Sequence, residues 1–321
     1  MREKELDYHP LTLWNVPEEH DYFYKDMGGL YSHMFTEDVT NNIAPFSSHS
    51  SRNKKSFEAI VSDDSLELEL KTLFHLPYSD SSSYEPLSNV VFGFIREVSG
   101  FLLGRGGRCF FEIVDATLKD GDMSKSLFVL KPVQGRVTKF WGTYYQAIPK
   151  DRREGNKKYI AVPQSKIWIL ETPKELGNIK GIIALSDNLG KLEDASLLGS
   201  NIVMSQKEYY GFEFNKFHRR IDAEILQATN KWGWDMRMAI NNQHALEYFM
   251  FYRMLRFSHS LAVLRTDILS KMNILLKRLG YDVTVSFSGI PTPKDYLDAI
   301  KKMEERRLSF KEASDLVHYS L

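Results

Sequence analysis

A single cysteine, Cys109, is all that 321 residues contain, which excludes an intrachain disulfide framework and fits a reducing compartment. An excess of either charge is also missing. Lys plus Arg and Asp plus Glu both number 42, so no global field draws the chain to nucleic acid or to an anionic membrane, and any such contact must use a local patch. The apolar runs are too short to span a bilayer, and Met1–Asp7 has no apolar core of a signal peptide, so a soluble protein made inside the cell is expected. No His-x-x-x-His pair, Cys/His cluster, Gly-x-Ser-x-Gly elbow or internal repeat occurs. These absences remove the common metal and nucleophile signatures.

Aromatics are plentiful, with 20 Phe, 16 Tyr and 5 Trp, and core filling is their first role. The strongest pattern is a helical stripe of Leu246, Met250, Met254, Phe257, Leu261, Leu264, Ile268, Met272, Leu275 and Leu279, spaced by three or four residues. It predicts one helix from about 242 to 279, whose apolar face from Leu246 to Leu279 runs about 50 Å at 1.5 Å per residue. Ten such side chains contribute on the order of 15–30 kcal/mol when buried, so something must cover them. Arg253, Arg256, Arg265, Lys271 and Lys277 read as lying off the stripe, available to DNA, a neighbouring subunit or solvent.

Residues 1–88 lack sustained periodicity and read as an irregular N-terminal arm, with Ser-rich stretches at 47–51 and 79–83. Residues 89–103 read as a helix stopped by Gly104-Arg105-Gly106-Gly107-Arg108, and short strands follow at 109–114, 126–130, 133–141, 159–162 and 166–171. From about 205 the chain reads as helical: 213–230, then the long helix, then a strand at 282–287. Two capped helices close it, one beginning Thr292-Pro293-Lys294-Asp295 and one Ser309-Phe310-Lys311-Glu312. The fold class is α+β, an antiparallel β segment flanked by helices, with regions 1–88, 89–204, 205–280 and 281–321.

Candidate contact residues are few. The loop 150–158 carries Lys150, Arg152, Arg153, Lys157 and Lys158, diluted by Asp151 and Glu154, and Arg219-Arg220 follow His218. The glycine loop at 104–108 runs from helix to strand, the reverse of a phosphate loop, so its arginines read as solvated. Asp63-Asp64 with Glu67 and Glu69 alternate with leucines, which suits the wet side of an amphipathic element better than a Mg²⁺ site. An enzyme acting on nucleic acid would use one of these two clusters. An adaptor would use the aromatic N-terminal segment and the long helix.

The run Phe101-Leu102-Leu103-Gly104-Arg105-Gly106-Gly107-Arg108-Cys109-Phe110-Phe111-Glu112-Ile113-Val114 resembles the helix–glycine–strand entry of portal proteins, the head–tail connectors of tailed bacteriophages. Val162-Pro163-Gln164-Ser165-Lys166-Ile167-Trp168-Ile169-Leu170 is similar to that family's proline-plus-strand stretch, and the long helix to its wing helix. The segments 283–293 and 307–313 are similar to its closing strand and helices. The resemblance covers residues 90–321 and implies a wing, stem and clip architecture. It implies a ring, usually of twelve copies, at a capsid vertex of the virion, assembled in the host cytoplasm. Double-stranded DNA would pass through it, driven by a terminase motor, with tail adaptors and capsid proteins as partners and no membrane. It implies no catalytic residue, metal or cofactor. Residues 172–205, with Gly177, Gly181 and Gly190, would form the turn after the clip. Loop 150–158 would face adaptor or motor, helix 213–230 would approach the channel, and the stripe would pack between subunits.

Overall fold

A computed structural model describes residues 5–13, 29–46, 56–75, 86–120, 123–153, 155–205, 214–234, 247–309, 311–312 and 316. Its organising element is the helix Leu87–Gly104, whose Val91, Phe94, Ile95, Val98 and Leu102 recur at helical spacing and are all buried. It is long and apolar enough to cross a bilayer by composition, yet most of it lies inside the core. The glycine loop closes this helix: the Gly107 N–H donates to the Leu102 carbonyl at 2.8 Å, the six-to-one bond of a Schellman cap. The chain then enters the strand Arg108–Asp120, as the sequence leads one to expect.

That strand organises the main sheet. Along one edge it pairs antiparallel with Met123–Pro132, Ile113 opposite Leu130. Its other edge is shared by two strands, Ile167–Glu171 against residues 108–112 and Glu5–Tyr8 against 116–119. Glu112, buried at the join, holds the chain that follows Glu5–Tyr8: its carboxylate accepts from the Leu11 and Thr12 N–H groups at 2.8 Å and from the Thr12 hydroxyl at 2.7 Å. A three-stranded sheet follows, built from Val137–Phe140, Thr143–Ala147 and Tyr159–Pro163, and a two-stranded one joins Glu58–Val61 to Val285–Ser288. In chain order the strands are β1 (Glu5–Tyr8), β2 (Glu58–Val61), β3 (Arg108–Asp120), β4 (Met123–Pro132), β5 (Val137–Phe140), β6 (Thr143–Ala147), β7 (Tyr159–Pro163), β8 (Ile167–Glu171) and β9 (Val285–Ser288). The helices are α1 (Leu30–Asn42), α2 (Glu67–Phe74), α3 (Leu87–Gly104), α4 (Asn178–Ser205), α5 (Phe214–Ala228), α6 (Glu247–Arg278) and α7 (Pro293–Glu304). The described architecture is thus mixed α and β with antiparallel sheets.

Within the region read as an irregular arm, the described α1, α2 and the start of β2 are integral to this core. Phe35, Val39 and Ile43 of α1, Leu70, Leu73 and Phe74 of α2, and Phe57 beside β2 are all buried in the cluster that contains α3 and α6. Its pattern is hard to read because α1 also buries Ser32, Thr36 and Asp38, polar residues that blur a hydrophobic stripe. Residues 178–205 are one helix and form no clip turn. Ile179, Ile182, Leu185, Leu189 and Leu192 recur at helical spacing there, and the interspersed glycines mask the signal.

The long stripe is covered by the chain itself. Leu261, Leu264, Ile268, Met272 and Leu275 are at most 2% exposed, packed in the same core, while Met254, Phe257 and Leu279 are half-buried. Leu246 and the side chain of Met250 fall outside the described residues, as does the predicted start of the helix at about 242. The five sealed residues cannot also pack between subunits. The Thr292 capping box forms as expected, its hydroxyl accepting from the Asp295 N–H while the Asp295 carboxylate accepts from the Thr292 N–H at 2.7 Å.

Candidate interaction surface

Strand alternation gives the β5–β6–β7 sheet two unlike faces. Tyr144, Gln146, Ile160 and Val162 point inward, where Val133, Tyr144, Val162 and Ile167 make a small core of their own. Gln146 behaves as a surrogate peptide group: it accepts from the Leu13 N–H at 2.8 Å and donates to the carbonyls of Leu13 and Gln134. The other face carries Thr138, Phe140, Tyr145, Tyr159 and Ala161, and Arg136 continues its row, its carbonyl accepting from the Ala147 N–H.

Two ends of this sheet stand out. At one, Trp141 and Gly142 form the two-residue loop between β5 and β6, both with positive φ (45° and 78°), as a type I′ hairpin demands. Asn and Gly suit that conformation, whereas a bulky residue is strained by it. Trp141 is nevertheless 91% exposed and stacked on Phe140, itself 63% exposed, with ring centroids 5.8 Å apart. At the other end, loop 150–158 holds Lys150, Arg152, Arg153, Lys157 and Lys158 in solvent. The Ile148 N–H donates to the Lys158 carbonyl, and Arg153 Nε donates to the Ile148 carbonyl at 3.0 Å, so the loop is pinned at its base. The structure therefore brings the five predicted basic residues together beside an exposed aromatic face.

The remaining predicted positions separate. Arg220 is exposed on α5 and pairs with Glu224 at 2.9 Å, one helical turn on. Arg219 lies on the same helix, but its side chain is outside the description. The arginines of α6 divide. Arg253 and Arg265 are only 4% and 2% exposed, contrary to their reading as solvent- or DNA-facing. Arg265 comes four residues after Leu261 and three before Ile268, within the stripe rather than beside it, and donates to the carbonyls of Ile43, at 2.9 Å, and Pro291. Arg253 donates to the Trp234 carbonyl, to Thr229 Oγ1 at 3.2 Å and to Asn230 Oδ1 at 3.3 Å, tying α6 to the turn after α5. Trp232 and Trp234 of that turn enclose Phe35 edge-on, and Trp234 Nε1 donates to Asp38 at 2.8 Å.

The glycine-loop arginines are paired as well as wet: Arg108 meets Glu171 at 2.6 Å, and Arg105 donates to the Val133 carbonyl. Of the acidic cluster, Asp63 accepts from the Ser65 N–H, Glu67 pairs with Lys71 at 2.7 Å and buried Glu69 with Lys125 at 2.6 Å. Among the described residues no three acidic, His or Cys groups converge as metal ligands. Cys109 is sealed in the core, and burial pushes its thiol up to about 12, with Arg105 and Lys271 pulling weakly the other way. An open cleft of about 530 Å³ lies between Trp168, Tyr144 and the end of α6. Its cations hold the backbone: Lys271 donates to the Glu171 carbonyl at 2.7 Å and Arg278 to those of Gln164 and Ile167 at 2.9 Å.

Sequence reasoning found the basic loop and missed its aromatic neighbours. The signal was available in β5–β7, where Phe140, Tyr145 and Tyr159 occupy alternating, outward positions once the strands are registered. Neither the models of known protein families nor the curated proteins compared with the chain match it.

Proposed function

We propose that this chain is a ring-forming structural subunit of the portal type, a conduit for double-stranded DNA at a phage capsid vertex on which motor and tail adaptors dock. The observation that carries the reading is the order of elements. An apolar helix enters a strand through a glycine turn, antiparallel strands follow, a proline separates β7 from β8, and two helices precede the 32-residue α6, a strand and a capped helix. Surface chemistry supports self-association independently. Outside the β5–β7 sheet, Ile274 and Tyr248 of α6 and Leu297 of α7 are each at least half exposed, outer apolar side chains that a neighbouring copy would cover. Because the stripe on α6 is consumed by the chain's own core, contacts between neighbours would use these outer residues. A head-to-tail contact between unlike patches generates a ring when its rotation closes. In that arrangement α6 would lie in the wing, α5 would approach the channel, and the β5–β7 sheet with loop 150–158 would face adaptor or motor at the clip. Negative-stain imaging of the purified chain at high concentration tests the proposal: annular particles with a central hole are expected, and uniformly small, holeless particles would overturn it.

A further inference from the structure

The outer face of the β5–β6–β7 sheet has a regular arrangement that ring formation does not require. Tyr145 sits opposite Ala161 on β7 and opposite Thr138 on β5. Tyr159 is two residues from Ala161 and Phe140 two residues from Thr138, so the three rings form a diagonal across the sheet with steps of about 7–8 Å. Tyr159 is 56% exposed and Phe140 63%, and Trp141 extends the line beyond the sheet edge, stacked on Phe140. The charge around this diagonal is as uneven as that of the whole chain is balanced: between Arg136 and Pro163 there are seven basic and two acidic residues. Arg136 continues the outward row in line with Tyr159, Ala147 of β6 lying between them, and loop 150–158 rims the same end.

We propose that this face binds single-stranded nucleic acid, bases stacked on Tyr159, Tyr145 and Phe140 and phosphates held by Arg136, Lys150, Arg152, Lys157 and Lys158. Successive ring faces spaced along a diagonal match successive unstacked bases, which duplex DNA does not offer. An acidic peptide would satisfy the charge of the loop but leave three separate rings without a flat partner. The strained, exposed Trp141 fits as a terminal stacking platform, since strain is tolerated where the exposed ring is used.

The test is fluorescence anisotropy of a labelled oligothymidylate of about 20 nucleotides with the full chain, compared with a duplex of equal length. Binding should weaken by about 130-fold between 50 and 200 mM salt, the slope of five phosphate contacts on a single strand. Tyr159→Leu and Phe140→Leu should each weaken binding by about fivefold or more. A Lys157→Ala/Lys158→Ala variant should reduce the salt slope while leaving the thermal midpoint in place, which guards against a folding artefact in the aromatic variants. The duplex should bind at least tenfold more weakly. No binding at 50 mM salt, equal binding of duplex and single strand, or an unchanged affinity in Tyr159→Leu would each overturn the proposal. So would a change of particle mass in Tyr159→Leu with no oligonucleotide bound by the parent, which would make the face a contact between copies.

Discussion

Replacing Gly233 by alanine should be among the most damaging single-methyl changes in the chain. Gly233 lies between Trp232 and Trp234 with φ of 78°, and a Cβ there would stand 2.7 Å from the Phe257 nitrogen and 2.8 Å from the Arg256 carbonyl carbon. Both are backbone atoms of α6, so no side chain can swing aside. The left-handed conformation alone costs about 1 kcal/mol for a residue with a Cβ. Forcing the turn off the helix adds about 1–3 kcal/mol of overpacking, because it also separates Phe35 from the two indoles and Arg253 from the Trp234 carbonyl. The expected loss is about 2–4 kcal/mol. Gly142 supplies the control: it has the same φ of 78° with nothing within 4 Å of the would-be Cβ, so Gly142→Ala isolates the backbone cost. In a thermal melt at about 2–4 °C per kcal/mol, Gly233→Ala should fall by about 5–10 °C and Gly142→Ala by about 2–3 °C. Equal losses in the two variants would refute the close packing of this turn on α6.

Burial pushes the Glu97 carboxyl up to about 8 against a smaller lowering from Arg96, and its Oε2 meets no partner among the described residues. The folded state then holds more protons than the unfolded one between about 4.5 and 8, so stability should fall as pH rises through that window. Glu97→Gln should flatten the slope and gain up to about 5 kcal/mol at pH 9, at 1.36 kcal/mol per pKa unit; parallel pH profiles in chemical denaturation would contradict this. Trp141→Asn places a residue suited to positive φ in the hairpin loop and should raise hairpin stability by about 1 kcal/mol, read as a higher thermal midpoint, so an unchanged or lower midpoint would argue against strain there. Arg265→Met strips donors from the Ile43 and Pro291 carbonyls inside the core and should cost about 2–5 kcal/mol in urea unfolding, whereas a solvent-facing arginine would cost almost nothing. Cys109 should resist a thiol reagent at pH 8 until the chain unfolds, and rapid labelling of the native protein would show that it is not sealed.

Periodicity located α3, β3, β4, β7, β8, α5 and α6 because each carries a stripe or alternation that survives on its own. It failed where partners, not period, define the element. In α1 the buried polar residues Ser32, Thr36 and Asp38 break the stripe, and Asp38 is there to receive Trp234 Nε1. In α4 the glycines lower helix propensity, and Gly181 lies against the turn at Gly177, where a Cβ on Gly177 would stand 3.1 Å from the Gly181 Cα. Arg253 and Arg265 show the same limit for charge. Placed by type, they belong outside, and only the carbonyls that they reach explain their burial. The basic loop was legible as composition. The aromatic diagonal beside it depends on the register of three strands, which sequence alone does not set.

The decisive measurement is the particle mass of the purified chain in solution, followed from nanomolar to high micromolar concentration by mass photometry and sedimentation. A ring-forming subunit should give one closed species near twelve times the 37.2 kDa chain, with few intermediates. A monomer that persists to high micromolar concentration would contradict the ring.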